Sequence, residues 1–553
     1  MNDKIKVTEP TPPKAVNLAA VKAGAIKLTK QEQIKLEKDG LDVIYDLYGY
    51  AKTGFASIAE DDFERLKWYG VYRQRPMDSG FFMLRTKIPG GQLNGDQARA
   101  IASIAEDYGR GFMDVTTRQT FQMHWLRIEQ FPDIFARLEK VGMTTSGACG
   151  DDTRNVVGCP VAGIDKNELF DATPYLAAIS AHMTNNRDFS NLPRKYKISV
   201  GGCAIECQQP DINCLSLFGV VRKDGTKGFG VKAGGGLSSS PHMAQTLDLF
   251  VPLDLDKLVS VVHAISETFR DEGYREKRTR ARFKFLVADW GAQKMTEEVR
   301  KRLKWKPDPA EEWIHPVDPE TDHFGIHEQK QPGLHYVSVS CLGGRISSQD
   351  MSRVVELASN HGSGHVRTTN KQNILILNVP KGNVKKLCDE MDRHGLVWNP
   401  SNFRKGCVSC TGIEFCNLAV AETKNRMMAL SEQLESLAAS YDGKIRIHFS
   451  GCPSSCGQHQ IADIGFRGAQ IRINGEKVDA FEMYVGGRTG RLRRFNQMVK
   501  GKIPSRDLHI YVKKVLDYYA ARKKGGESLG DFFARTPKEE ISVFLEKGNG
   551  AEG

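Results

Sequence analysis

The chain has 553 residues, with 78 Lys and Arg against 67 Asp and Glu (net charge +11), 40% hydrophobic and 26% charged residues. These are the proportions of a soluble globular protein, long enough for three or four domains and large buried groups. No apolar run approaches the roughly 18 residues of a membrane-spanning helix, and the basic residues are dispersed, apart from short runs such as Arg275 to Arg282, without a nucleic-acid recognition motif.

The start, Met1-Asn-Asp-Lys-Ile-Lys6, carries no signal-peptide pattern, so a reducing cytoplasm is the expected compartment. Twelve cysteines suit metal ligation there better than disulfides. Residues 1–65 read as an N-terminal arm, with a Pro-containing stretch from Glu9 to Pro13 and a polar helical pattern from Lys30 to Lys38. After Lys67-Trp68-Tyr69-Gly70, the segment from Gly80 through Arg85 reads as a strand running into a Pro89-Gly90-Gly91 turn. Ala98, Ile101, Ala102, Ile104 and Ala105 predict a helix over Asn94 to Tyr108, and a second strand is predicted around Met113 to Trp125. Alternation along it puts Arg118, Thr120, Gln122 and His124 on one face. So polar a face in a core segment suits a charged cofactor, although Arg118 and His124 can also be ordinary strand residues.

Further on stand Asp151-Asp152-Thr153-Arg154-Asn155 and Asn191-Leu192-Pro193-Arg194-Lys195-Tyr196-Lys197. If the latter is extended, Lys195 and Lys197 share a face; without more context, that is a solvated basic face. Gly234-Gly235-Gly236 permits close backbone approach to a bound group. Lys306 to Pro332 is rich in Pro and acidic residues and reads as a linker.

After the linker the chain repeats itself. Gly333 to Gly344 matches Gly80 to Gly91, and Gly80 to Gln119 has the same length as Gly333 to Gln372. Lys195 to Gly219 matches Lys444 to Gly468, so that Cys203-Ala-Ile-Glu-Cys207 mirrors Cys452-Pro-Ser-Ser-Cys456. Two halves of about 250 residues, related by pseudo-twofold symmetry, are expected.

Cys410 to Cys416 and Cys452 to Cys456 form two cysteine pairs with the spacing an iron–sulfur cluster held by four thiolates needs. Pro453 suits a first helical position, which would place Cys452 and Cys456 across one helical turn. A structural zinc site or buried free thiols are the plainer alternatives, but zinc sites favour closer first pairs. Cys203 and Cys207 are only a pair, which points to a structural or vestigial role.

Thr411-Gly412-Ile-Glu-Phe415-Cys416-Asn-Leu-Ala419-Val-Ala-Glu422-Thr423, followed by Gly451-Cys452-Pro-Ser-Ser-Cys456-Gly457, resembles the sulfite and nitrite reductase haemoproteins. The resemblance covers nearly everything after about Glu64. It implies an α+β fold with duplicated pseudo-twofold architecture: three α/β domains with the cofactors at their interface. Residues 66–145 and 325–398 would be ferredoxin-like half-domains paired into one domain. Residues 146–324 would be a sirohaem- and substrate-binding lobe, and 399–553 a [4Fe-4S]- and sirohaem-binding lobe.

Carried over, the resemblance makes Cys410, Cys416, Cys452 and Cys456 the cluster ligands, with Cys456 the bridge to the sirohaem iron. Arg85, Arg154, Lys195 and Lys197 become the substrate residues. Thr116, Thr117, Arg118, Gln122, His124, Gly235 and Arg282 become partners of sirohaem, with Lys284 a further one. The eight carboxylates of sirohaem would absorb part of the positive charge, and the remainder would face an acidic donor such as ferredoxin. The implied reaction is assimilatory six-electron reduction of sulfite to sulfide.

Lys197 and Cys159 both stand where nitrite enzymes of this type carry Asn, which favours sulfite. The Gly111 to Ile164 region looks closer to the nitrite-type branch, so ferredoxin–nitrite reduction to ammonia is the alternative, and a non-enzymatic iron–sulfur protein is a distant one. Some sulfite reducers of this type carry a Tyr–Cys thioether, for which Tyr69 and Cys159 are the candidates.

Overall fold

The computed structural model describes residues 28–314, 323–437, 441, 443–490 and 492–547. The Glu9 to Pro13 stretch and the Pro316 to Pro319 part of the linker lie outside them. Among the described residues the strands form four five-stranded sheets. Two of these exchange strands. Val71–Arg73, Phe82–Arg85, Phe121–Leu126 and Phe112–Val115 are completed by Arg345–Ser347 from the second half. Ile326–Glu328, Leu334–Val339, Ile374–Pro380 and Val366–Thr368 are completed by Gln92–Leu93 from the first.

A single hydrophobic core joins the two halves, from Val43 and Phe82 to Val337 and Leu396. The helix Gly95–Tyr108 starts at a capping box: Asn94 Oδ1 accepts from Gln97 N at 2.9 Å, and Gln97 Oε1 accepts from Asn94 N at 3.1 Å. Its counterpart Ser348–His361 is capped by Ser347. The two helices pack together, burying Ile101 and Ala105 from one and Met351 and Val354 from the other.

The remaining two sheets belong to the lobes and have one topology. In the first lobe, Val157–Gly158, Ile198–Gly201 and Leu215–Val221 run parallel, then Lys227–Ala233 and Gln245–Pro252 add antiparallel strands. In the second, Cys407–Ser409, Ile447–Ser450 and Ile464–Ile473 are parallel, and Glu476–Val485 and Gln497–Pro504 antiparallel. Each lobe has its own core. No described helix is long and apolar enough to cross a membrane.

Two local expectations need correction. Thr116 to Gln119 forms a tight turn rather than strand: Thr116 N donates to Thr120 O at 2.8 Å, and Gln119 takes a φ of 58°. Only Gln122 and His124 lie on the strand, on the face opposite the core residues Phe121 and Met123. Cys452 to Cys456 likewise spans turns, not a helix, because Ser455 adopts a left-handed φ of 56° and interrupts any helical turn.

The described part of the N-terminal arm packs on the body. Lys35, in the helix Lys30–Glu37, is 3% exposed and reaches Leu192 O at 2.9 Å, Glu32 at 2.6 Å and Asp151 at 3.4 Å.

Candidate active site

A cavity of about 450 Å³ lies where both lobes meet the shared domain. From the first half-domain, Arg85 enters at the end of its strand, Thr116, Thr117 and Arg118 from the tight turn, and Gln122 and His124 from the strand that follows. The first lobe adds Arg154, Lys195, Lys197 and Arg282; the second adds Cys410, Cys416, Cys452 and Cys456.

The cations are held by their hydrogen bonds and left with charge to spare. Arg85 Nη1 donates to Cys149 Sγ at 3.0 Å and Nη2 to Gln122 Oε1 at 3.1 Å. Arg154 Nη2 donates to Gly150 O at 2.9 Å. Arg118 Nη1 donates to Asn213 Oδ1 at 2.8 Å and Nη2 to Asn155 O at 2.5 Å. Yet Nε of Arg85, Arg118, Arg154 and Arg282 is buried with no partner.

Lys195 and Lys197 flank Tyr196, which is fully buried in the lobe core, so the two lysines point the other way, into the cavity. Burial, with Arg282, Arg154 and Arg194 close by, brings Lys195 down to about 7. Burial, with Arg118, Lys195 and Arg282, depresses Lys197 as well. Arg118 falls to about 9, by burial and against its neighbours Arg154, Arg85 and Arg282. Behind these groups Asp151 gathers Lys35, Arg194 and Arg278, which outweigh burial and keep its carboxyl well below the usual range. That network ties the Arg154 loop to the Lys195 loop.

Among the described residues one carboxylate, Asp114, lines the cavity, and it is already taken. Arg345 Nε lies 3.1 Å from it, Lys424 Nζ 3.6 Å and His124 Nε2 3.4 Å. His124 stacks on Phe415 at 3.8 Å between centroids, and burial lowers its pKa. Its Nδ1 has no partner.

The four cysteines sit on loops after two parallel strands. Gly412, at a φ of 66°, opens the short helix Gly412–Phe415 that ends at Cys416, and a Cβ there would strike Thr423 Oγ1 at 2.6 Å. Cys410 Sγ accepts from Gly451 N at 3.2 Å, and burial pushes its thiol up to about 12. Cys456 is exposed, and its carbonyl accepts from Thr117 Oγ1 at 3.2 Å.

Gly235 does not line the cavity. A Cβ there would drive into the carbonyl oxygens of Asp211 and Asn213, so it serves packing within the lobe; Gly236, whose Cβ would lie 2.6 Å from Arg282 Nη2, is the glycine beside a site cation. Lys284 turns away, to Ser238 Oγ at 3.0 Å and to Ser240 O.

Tyr69 and Cys159 are not brought together. Tyr69 Oη donates to Leu41 O at 2.9 Å, and Cys159 sits with Cys203 and Cys207 outside the cavity. Cys159 therefore makes no direct contact with the cavity. The tyrosine and cysteine in contact at the site are Tyr72 and Cys149, with burial and Cys149 together raising the tyrosine. Neither was found from the sequence; the one signal was that Tyr72 stands three residues after Tyr69 and Cys149 immediately before the Gly150 turn.

Models of two families match the chain. The "Nitrite and sulphite reductase 4Fe-4S domain" matches residues 149–307 and 403–547, and the "Nitrite/Sulfite reductase ferredoxin-like half domain" matches residues 73–141 and 327–394. The chain belongs to the nitrite and sulfite reductase family. It is 35% identical to the assimilatory ferredoxin-dependent nitrite reductase of Haloferax mediterranei, over 94% of this chain and 93% of the other. It is 36% identical to sulfite reductase [ferredoxin] 1 of Mycolicibacterium paratuberculosis, over 93% and 96%. The structure of Mycobacterium tuberculosis NirA protein superposes with a TM-score of 0.88 at 32% identity, covering 94% of this chain and 99% of that one.

The family's cofactors are sirohaem and a [4Fe-4S] cluster, and the residues present fit both. Four thiols open onto the cavity on loops free of regular structure. Four unpartnered guanidinium nitrogens, with Lys195 and Lys197, surround a cavity whose one carboxylate among the described residues is neutralised. Burying so much uncompensated positive charge is costly, and a polyanion such as sirohaem removes that cost. Thr116, Thr117, Arg118, Gln122, Arg282 and Nδ1 of His124 would meet its carboxylates; Cys410, Cys416, Cys452 and Cys456 would hold the cluster.

Proposed function

We propose that the protein is an assimilatory sulfite reductase that receives electrons singly from a separate acidic ferredoxin and converts sulfite to sulfide. The oxidoreductase chemistry of the family is supplied by sirohaem and the [4Fe-4S] cluster when bound. The chain's own residues bind, orient and protonate. Arg85 and Arg154, each anchored by its Nη atoms, offer fixed positive charge to a small oxyanion. Lys195 and Lys197 supply protons to oxygens that leave as water. An ammonium near 7 gives up and regains its proton readily at neutral pH.

The observation that carries the sulfite assignment is Lys197, a second lysine in the cavity wall on the same side as Lys195. The same reading pairs 66–145 with 325–398 as one domain, which their common core supports, and treats 146–324 and 399–553 as the lobes.

The test is steady-state turnover of the cofactor-loaded protein with a reduced viologen dye, comparing kcat/KM for sulfite and nitrite. Sulfite should be preferred. Lys197→Asn should lower kcat/KM for sulfite by about 10²–10³, the usual effect of losing one charged donor from a reaction site, and spare nitrite. A wild-type preference for nitrite would overturn the assignment and place the protein with the nitrite reductases among its relatives.

A further inference from the structure

The first lobe contains a counterpart of the cluster ligand set, and strand register locates it. Val157 pairs with Ser199 in the first lobe, and Val408 with His448 in the second. Two residues beyond Val157 and Val408 stand Cys159 and Cys410; four and eight residues beyond Ser199 and His448 stand Cys203 with Cys207, and Cys452 with Cys456. Cys159 therefore occupies the place of Cys410, so the first lobe offers three thiols rather than the pair visible in sequence. Contacts follow the same symmetry. Asn370 Nδ2 donates to Cys207 O, and Thr117 Oγ1, at the repeat-equivalent position, donates to Cys456 O.

Cys416 has no counterpart there. In its stead His323, from the end of the linker, presents Nε2 3.2 Å from Cys207 Sγ. Its Nδ1 lies 3.2 Å from Tyr336 Oη, which fixes the ring with Nε2 toward the thiols. Cys159, Cys203 and His323 are 4%, 1% and 6% exposed, and none of the four residues lines the cofactor cavity.

Spacing identifies the occupant. The three sulfurs lie within 4.8 Å of one another, and among the described residues no other three metal-ligating side chains come so close, those of the second lobe included. A tetrahedral ion with Zn–S bonds of about 2.3 Å separates its sulfurs by about 3.8 Å. A four-iron cluster holds its thiolates wider apart. The trio is thus spaced for a single ion and not for a cluster. Nε2 of His323 is not within 4.8 Å of all three sulfurs, so ligation draws the ring inward.

We propose that Cys159, Cys203, Cys207 and His323 form a structural site for one zinc ion. Each thiol binds as thiolate and releases its proton to solvent, with no change of oxidation state. The ion would join two loops of the first lobe to the start of the second half-domain, adding to the direct contacts between them, such as Lys330 with Glu168 at 2.6 Å and Arg367 Nη1 with Pro160 O at 3.1 Å.

The test is metal analysis of the holoprotein purified without chelator, with zinc K-edge absorption. One zinc per chain in addition to the cofactor iron, with three sulfurs and one nitrogen around it, is expected. Cys203→Ser and His323→Ala should each lose most of the zinc while the cofactor iron and haem absorption stay near wild type. Holoprotein free of zinc, with Cys159, Cys203 and Cys207 all open to alkylation or joined as a disulfide, would overturn the proposal. So would iron beyond the cofactor complement in place of zinc. The wild-type measurement decides the matter even if a variant fails to fold.

Discussion

Lys195 stands among Arg154, Arg194 and Arg282 with no carboxylate to pair with, and its chemistry depends on what fills the cavity. An unfolded lysine titrates near 10.4, whereas the folded one titrates at about 7. Between these values the unfolded chain binds more protons, so unfolding free energy rises with pH. Lys284, at about 8, acts in the same direction. Cofactor-free protein should therefore gain stability from about pH 7 to about pH 8, below the range where unfolded thiols ionise. Lys195→Met should reduce that slope, and so should loading with sirohaem. Denaturant midpoints across the interval measure it, and a slope unchanged by either would refute the reading. The tyrosine and cysteine placement is checked by peptide mapping of the holoprotein: Tyr69 and Cys159 should appear on separate unlinked peptides, and Tyr72 with Cys149 should be the one pair able to cross-link.

At the scale of elements, the helix Lys30–Glu37 braces the site from behind. Lys35 bonds Glu32, Asp151 and the carbonyl of Leu192, and Arg275 joins Glu32 at 2.9 Å and Asn191 O at 2.8 Å. The Asp151–Arg154 and Leu192–Lys197 segments are thereby held by charges taken from a helix that contributes nothing to the cavity itself. Removing one member leaves buried charge unpaired. Lys35→Ala should cost about 3–5 kcal/mol in chemical denaturation. It should also lower kcat for sulfite, because the loop carrying Lys195 loses its anchor. Trp68 completes the brace: its Nε1 donates to Ser190 O at 2.7 Å, and Gly150 lies against its ring with no room for a Cβ.

Across the whole molecule, the two halves interlock at a seam built twice. Gln119 Nε2 donates to Thr368 O at 3.2 Å, and Gln372 Nε2 donates to Val115 O at 2.9 Å. Gly91 and Gly344 meet the same two carbonyls so closely that a Cβ at either would collide. Both have positive φ, 72° and 76°. Gly344→Ala should lose about 1–2 kcal/mol from backbone strain alone, with the Cβ collision adding to it, and Gly91→Ala a comparable amount; thermal unfolding would show both. The net charge of +11 bears on donor docking. KM for ferredoxin should rise as ionic strength increases from about 0.05 to about 0.3 M, while viologen-driven turnover holds steady.

The sequence by itself determined the duplication and singled out the four cysteines and most of the basic residues that line the cavity. Each is a local pattern: Pro-Gly-Gly turns and glutamines at matched spacing, cysteine pairs within one loop, lysines alternating about Tyr196. What depends on through-space register was decided only by the tertiary structure. The exchange of Gln92–Leu93 and Arg345–Ser347 between sheets, Asp114 beneath His124, and Tyr72 against Cys149 join residues whose separation in the chain carries no sign of their meeting. Cys159 shows the difference most plainly. By sequence it was a position favouring sulfite and the thioether candidate for Tyr69; parallel pairing of its strand with Ile198–Gly201 placed it beside Cys203 and Cys207 instead. Register is set by how whole sheets pack, a cooperative property that no local run of residues encodes.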